Sequence, residues 1–119
     1  MRETRQRSAI KRVLEESNRP LSPREIQRLA GCAVPNLGIA TVYRNLKTLV
    51  GLGELVTVPI PRQPDRYGLP GRSGPILFHC LETDAVYYLD AKELGLRQPA
   101  LPRGYEAEDW LVVFYGRRR

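Results

Sequence analysis

Apolar residues recur along this chain with two different periods, and the change of period divides it. Over residues 5–17, Ile10, Val13 and Leu14 fall at i, i+3 and i+4, and Ser17-Asn18-Arg19-Pro20 closes the run. That spacing predicts an amphipathic helix. Ser22-Pro23-Arg24-Glu25 follows, with serine at N-cap, proline at N1 and glutamate at N3. This is a capping box, which satisfies N–H groups that a helix start leaves unpaired. Ile26, Leu29 and Ala30 repeat at helical spacing, and Gly31 suits the stop. Pro35, Asn36 and Gly38 mark Cys32–Gly38 as a loop. A third helix is predicted over about residues 39–51, with Val42, Leu46, Leu49 and Gly53 on one stripe. At about 100° per residue, Tyr43, Arg44, Lys47, Thr41 and Thr48 lie away from that stripe, with no acid among them.

The period then drops to two. Glu54–Pro59 alternates through Leu55, Val56 and Val58, and Asp65–Leu69 reads as a second short strand, with Pro61 and Pro64 restricting the connection. Three helices followed by a two-stranded hairpin is the element order of a winged helix-turn-helix. Pro70 to Pro75 reads as a linker, with Gly71 and Gly74 inside it. Beyond it, residues 76–81 and 85–89 are strand-like, 90–96 suit a short helix capped by Asp90, and 105–115 suit a strand ending in Trp110-Leu-Val-Val-Phe-Tyr115. The expected class is α+β: a winged helix-turn-helix followed by a small α/β unit. A unit of under about 50 residues has little core of its own, so pairing with a second copy is expected to stabilise it.

Charge sharpens the division. The 119 residues carry a net charge of +6. Residues 1–50 hold ten Lys/Arg and four acids, while residues 51–119 hold nine of each. Without Arg117-Arg118-Arg119 the second part is net negative. An anionic partner for the first half alone is therefore expected, and charge leaves nucleic acid, an acidic protein, a membrane surface or a merely solvated face open. Membrane binding fits poorly, because the basic residues are spread over three helices whose apolar faces are needed for a core. No run approaches the roughly 18 apolar residues of a bilayer span. The charged start Met1-Arg2-Glu3-Thr4-Arg5 does not read as a signal peptide, and two cysteines give no disulfide framework. A cytoplasmic location is the expectation. One histidine and no nucleophile–base spacing or phosphate-cradling loop argue against an enzyme. Cys32 and Cys80 are each read either as buried small hydrophobes or as redox-active thiols.

Several motifs together resemble the ferric uptake regulator (Fur) family. They are Arg2-x-Thr4-x-Gln6-Arg7-x-Ala9-Ile10, Leu21-Ser22-Pro23-x-Glu25-Ile26 and Ala40-Thr41-Val42-Tyr43-Arg44-Asn45-Leu46-x-x-Leu49. Arg66-Tyr67, Phe78-x-Cys80, Val86-x-x-Leu89 and Gly104-Tyr105 through Tyr115-Gly116 continue the likeness in order. It spans about residues 2–116. The resemblance implies a winged-helix DNA-binding domain over 1–70, a small α/β dimerisation domain over 75–116 with a basic tail at 117–119, and a homodimer that represses transcription from an A·T-rich palindromic operator in double-stranded DNA. Arg44 is placed to pair with a guanine edge and Tyr43 to pack against a thymine methyl. Thr41 and Lys47 suit phosphate contacts. By family position, Arg2 reaches into an adjacent minor groove.

The likeness fails at the family's metal ligands. The usual run His-x-His-Phe-x-Cys-x-x-Cys reads Pro75-Ile76-Leu77-Phe78-His79-Cys80-Leu81-Glu82-Thr83. The glutamate often following Arg-Tyr is Gly68, the helix-two histidine falls near Asn18 or Arg19, and Arg117-Arg118-Arg119 replaces the terminal Cys-x-x-Cys. A structural zinc needs four ligands, and adjacent His79 and Cys80 on a strand face opposite ways. No metal site and no cofactor are expected. Packing of Trp110, Phe114, Tyr87, Leu111 and Val113 is the expected replacement for a zinc's contribution to stability. The competing expectation is an interaction module that heterodimerises with a metal-binding relative and binds DNA weakly by itself.

Overall fold

The computed structural model describes residues 2–71, 76–95 and 99–119, without the side chains of residues 2–4, 91 and 93. Residues 72–75 of the expected linker, Pro75 among them, and Leu96 of the expected helix lie outside the described residues. The chain divides into two compact units, Met1–Arg72 and Ser73–Arg119.

The first unit is built on α1 (Arg2–Ser17), α2 (Pro23–Ala30) and α3 (Ile39–Gly51). Ile10, Leu14, Leu21, Ile26, Ala30, Val34, Leu37, Val42, Leu46, Leu49 and Leu55 form one buried cluster. Every residue placed on an apolar stripe by spacing lies in that cluster or packs against it, except Gly53. The helix ends at Gly51, and Gly53 lies beyond it with a left-handed φ of 75° that reverses the chain. Leu55 takes the core position instead, 1% exposed. The capping box is present in full: the Glu25 N–H donates to Ser22 Oγ at 3.2 Å, and the Ser22 N–H donates to Glu25 Oε1 at 3.0 Å. Val34 and Leu37 in the α2–α3 loop are buried although they carry no periodic signal.

A hairpin of β1 (Val56–Ile60) and β2 (Gln63–Gly68) follows. Its strands are antiparallel, with Val58 opposite Arg66, Ile60 opposite Gln63, and an irregularity between. Pro59 and Pro64 fall there, where a missing N–H costs no ladder bond. The connection is tighter than the prolines suggested: Pro61 and Arg62 alone make the turn, and Arg62 has a φ of 67°. Proline at the first central position and a positive φ at the second are the marks of a type II turn. For a side chain larger than glycine the left-handed region costs about 1–2 kcal/mol. The hairpin is stitched to the helices by Leu21, whose N–H donates to the Tyr67 carbonyl at 3.0 Å and whose carbonyl accepts from the Tyr67 N–H at 2.9 Å.

The second unit is a three-stranded sheet in the order β4-β3-β5. Its elements are β3 (Ile76–Cys80), β4 (Val86–Tyr88), α4 (Ala91–Leu94) and β5 (Val112–Gly116). β3 is central, antiparallel to β4 and parallel to β5. Asp90 caps α4, accepting from the Lys92 N–H at 2.8 Å. Gly116 is required by contact: a Cβ there would stand 2.9 Å from Phe78 Cε1. Two expectations need correction. The strand predicted over 105–115 begins only at Val112, because residues 105–111 are exposed and have no ladder partner. The aromatic packing expected to stand in for zinc is only partial: Tyr87 stacks on Phe78 with ring centroids 6.3 Å apart, but Tyr87, Trp110, Leu111 and Phe114 stay 37–48% exposed. Of that set only Val113 is half-buried, and the buried apolar residues are Ile76, Leu77, Ala85 and Val86. Among the described residues no helix is long and apolar enough to cross a membrane.

Candidate nucleic-acid interface

The stripe that buries α3 fixes what its other face presents. With Val42, Leu46 and Leu49 at most 1% exposed, Tyr43 stands 50% exposed and Arg44 and Lys47 are exposed beside it. Thr41 is half-buried near the helix start. Thr48 turns back on its own helix, its hydroxyl donating to the Arg44 carbonyl at 3.1 Å. Thr41, Tyr43, Arg44 and Lys47 thus belong to one helix with their side chains away from the core. Arg2 opens α1, but its side chain lies outside the described residues.

Asn45 breaks the apolar stripe. It is 3% exposed, and its amide donates to the Thr41 carbonyl at 3.0 Å and to Gln6 Oε1 of α1 at 3.4 Å. A buried amide must be matched in this way, so the bond to Gln6 ties the rotation of α3 to α1. Nothing in the periodicity singled it out, since an asparagine on a stripe reads equally well as a stray polar residue.

Glu25 does more than cap α2. Its Oε2 accepts from Arg19 Nη2 at 2.8 Å, and its Oε1 faces Arg66 Nη1 of β2 at 3.4 Å. Arg66 is 3% exposed and also donates to Gln63 Oε1 at 3.0 Å. One carboxylate therefore joins the helix start, the α1–α2 connection and the hairpin. Burial alone would push the Glu25 carboxyl up, but the Ser22 N–H and the charges of Arg19 and Arg66 outweigh it and hold the pKa below the usual 4.5. The Tyr67 hydroxyl is pushed up by burial, by Asp65 and by the nearby Tyr43 of α3.

A pH dependence follows. Glu25 titrates lower in the folded chain than in the unfolded one, so its stabilisation is complete above about 4.5. It is lost as pH falls from there through the depressed folded value. Thermal unfolding followed between neutral pH and pH 3 should show the melting temperature fall over that window. Glu25→Gln, which keeps an N3 acceptor but no charge, should be less stable at neutral pH and show a flatter acid limb.

Of the positions that correspond to metal ligands, Cys80 alone keeps a matching donor. Leu77 is 1% exposed in β3, Gly68 ends β2, and Thr83 lies in the β3–β4 turn. His79 is buried, with Nε2 2.6 Å from Asp84 Oδ1 and its ring 5.7 Å from that of Tyr115. The Cys80 thiol is lowered from its ordinary value, first by the Thr83 hydroxyl and then by the backbone N–H groups of Thr83 and Glu82. Among the described residues no group of three or more His, Cys, Asp or Glu is placed to hold a metal. These residues do not fit the zinc or iron of the resembled family. Cys32 is exposed rather than packed as a small hydrophobe, and Cys80 is half-buried.

A three-helix unit with a hairpin stitched to it, presenting a cationic face on its third helix, is a winged helix-turn-helix protein. The family model described as the ferric uptake regulator family matches residues 1–115. The chain belongs to that family, which is one of DNA-binding transcription regulators and not of enzymes. Among solved structures, a zinc-bound manganese uptake regulator is 22% identical, with 96% of this chain and 88% of that one covered and a TM-score of 0.73. The iron-bound ferric uptake regulator of Francisella tularensis is 22% identical over 96% and 89%, with a TM-score of 0.69. The Campylobacter jejuni peroxide stress regulator is 20% identical over 99% and 89%, with a TM-score of 0.64. At these identities the likeness is one of fold. No curated protein matches the sequence.

Proposed function

We propose that the protein is a homodimeric repressor that binds an A·T-rich palindromic operator and does so without bound metal. The observation that carries this reading is the α3 surface: Tyr43, Arg44 and Lys47 exposed together on the third helix of a winged-helix unit within this family. Residues 1–70 serve as the DNA-binding domain. Arg44 reads a guanine through its bidentate guanidinium, Tyr43 packs on a thymine methyl, and Thr41 and Lys47 hold phosphates. Arg2 enters the neighbouring minor groove. Residues 75–116 form the pairing domain and 117–119 a basic tail. The exposed Tyr87, Trp110, Leu111 and Phe114, with β5 at a sheet edge, supply the apolar surface that a second copy covers. Two α3 helices then enter successive major grooves. The missing donors at positions 68, 77 and 83 support metal independence. A cytoplasmic location accords with that role.

Randomised-duplex selection with the purified protein, run in parallel with and without a strong chelator, tests the reading. The same palindrome should emerge in both arms, and the chelator should leave the melting temperature unchanged. A palindrome recovered only when metal is supplied would sink metal independence. Weak binding without sequence preference would favour the heterodimerising module instead.

A further inference from the structure

Asn45 is the polar member of the buried set of α3, whose other members are Val42, Leu46 and Leu49. At about 100° per residue, it lies about 60° to one side of Val42, on the flank of the stripe away from Tyr43. A leucine would extend the stripe there. The Asn45 amide instead donates twice, to the Thr41 carbonyl and to Gln6 Oε1 of α1. The first bond stays within the helix and leaves its orientation free. The second crosses to another element and is directional. Buried polar pairs of this kind select one arrangement among several that an apolar core accepts.

Apolar packing is non-directional, so Val42, Leu46 and Leu49 stay covered if α3 rolls slightly on its axis. A hydrogen bond weakens steeply off its line, so the bond from Asn45 to Gln6 marks one roll. α1 meets α3 at fewer places than α2 does, which leaves more for that bond to decide. Lys11 of α1 also reaches Glu54 at 2.9 Å, but that pair is partly exposed and holds the chain beyond the end of α3. A roll of about 20° moves a group about 6 Å from the helix axis by about 2 Å. That is enough to break the paired hydrogen bonds of a guanidinium on a base edge. A lysine, a point charge on a flexible stem, follows its phosphate through such a shift.

We propose that Asn45 and Gln6 are positioning residues for sequence reading: the bond between them fixes the roll of α3, and with it where Arg44 and Tyr43 meet the bases. This rests on the DNA-binding reading above. The test is Asn45→Leu, Gln6→Met and the double variant, with Lys11→Ala and Gln6→Glu as controls. Each is titrated with the selected palindrome and with a scrambled duplex, and each is melted. Asn45→Leu should melt near or above the wild-type temperature, because an apolar side chain of similar size replaces a buried amide. Its affinity for the scrambled duplex should hold, while that for the palindrome falls about tenfold. Gln6→Met should do the same. The double variant should lose no more than either single one, since all three remove one bond. Gln6→Glu keeps an accepting oxygen and adds a negative charge, so both affinities should fall and their ratio should stay. Lys11→Ala should also leave the ratio unchanged.

A wild-type ratio of palindrome to scrambled affinity in both Asn45→Leu and Gln6→Met would overturn the inference. So would losses that add in the double variant, or a ratio that falls only in step with a lowered melting temperature. Gln6→Met, on a half-buried position of α1, keeps the test open if Asn45→Leu fails to fold. If the wild type binds both duplexes alike, the DNA-binding reading fails and takes this inference with it. If the wild type prefers the palindrome and the variants keep that preference, only the positioning role is wrong.

Discussion

Arg44→Ala should lose the operator while keeping its affinity for bulk DNA. Arg44 is exposed on α3, and the Thr48 hydroxyl that reaches it bonds its backbone carbonyl rather than its guanidinium. Truncation therefore leaves the fold intact, and circular dichroism and melting should match the wild type. A bidentate arginine–guanine pair discriminates by about 1–3 kcal/mol. A dimer loses it in both half-sites, so specific binding should weaken by about 2–6 kcal/mol. Non-specific binding, which comes from phosphate contacts, should barely change. Lys47→Ala makes the contrast: specific and non-specific affinity should fall together, with a shallower salt slope. Gel-shift titration of the palindrome and a scrambled duplex reads both ratios. Equal loss on both duplexes in Arg44→Ala would assign that residue to phosphate.

The second large effect lies in the core. Leu46 is fully buried at the middle of α3, within the cluster that all three helices build. Leu46→Ala should cost about 2–5 kcal/mol, the lost transfer energy plus the cavity left behind. Domains of this size have total stabilities of about 4–10 kcal/mol, so half of that reserve disappears with one side chain. At roughly 4–8 °C per kcal/mol for a small domain, the melting temperature should drop by more than about 10 °C. Urea unfolding should show a lower midpoint with an unchanged slope. A drop of only a degree or two would mean that neighbouring side chains close over the gap.

The two effects reflect what could be read along the chain. Core positions were legible because helices repeat: Ile10, Leu14, Ile26, Val42, Leu46 and Leu49 are all buried. The exposed face of α3 was legible as the complement of the same arithmetic. The capping box was legible because its residues fall within four consecutive positions, Ser22 to Glu25. What failed to show was set by partners distant in the chain. Asn45 finds Gln6 across 39 residues, and Glu25 finds Arg66 across 41. Neither pairing leaves a periodic trace. Arg62 escaped for another reason, because only the pairing of Ile60 with Gln63 reveals a two-residue turn. The prolines announced a restricted connection but not its length. In the C-terminal unit the expected strand overran the real one: Tyr105, Trp110 and Leu111 suit a sheet but have no ladder to join, and Glu106, Ala107, Glu108 and Asp109 between them are residues that strands disfavour. Propensity there reported a fit to a covered surface, and one chain alone does not cover it.

The apolar side chains left open on the C-terminal sheet have a consequence for dosage. In the proposed homodimer, a protomer that leaves Tyr87, Trp110 and Phe114 in water would gain stability by finding its copy, and that gain would depend on how many copies there are. Below the dissociation constant of the pair, the concentration of dimer follows the square of protomer concentration. A tenfold fall in synthesis then leaves about a hundredth of the paired form. If the proposed metal-independent dimer is the regulator, it would in this way keep a steep input, its own abundance. Operator occupancy would respond to the rates at which the chain is made and degraded.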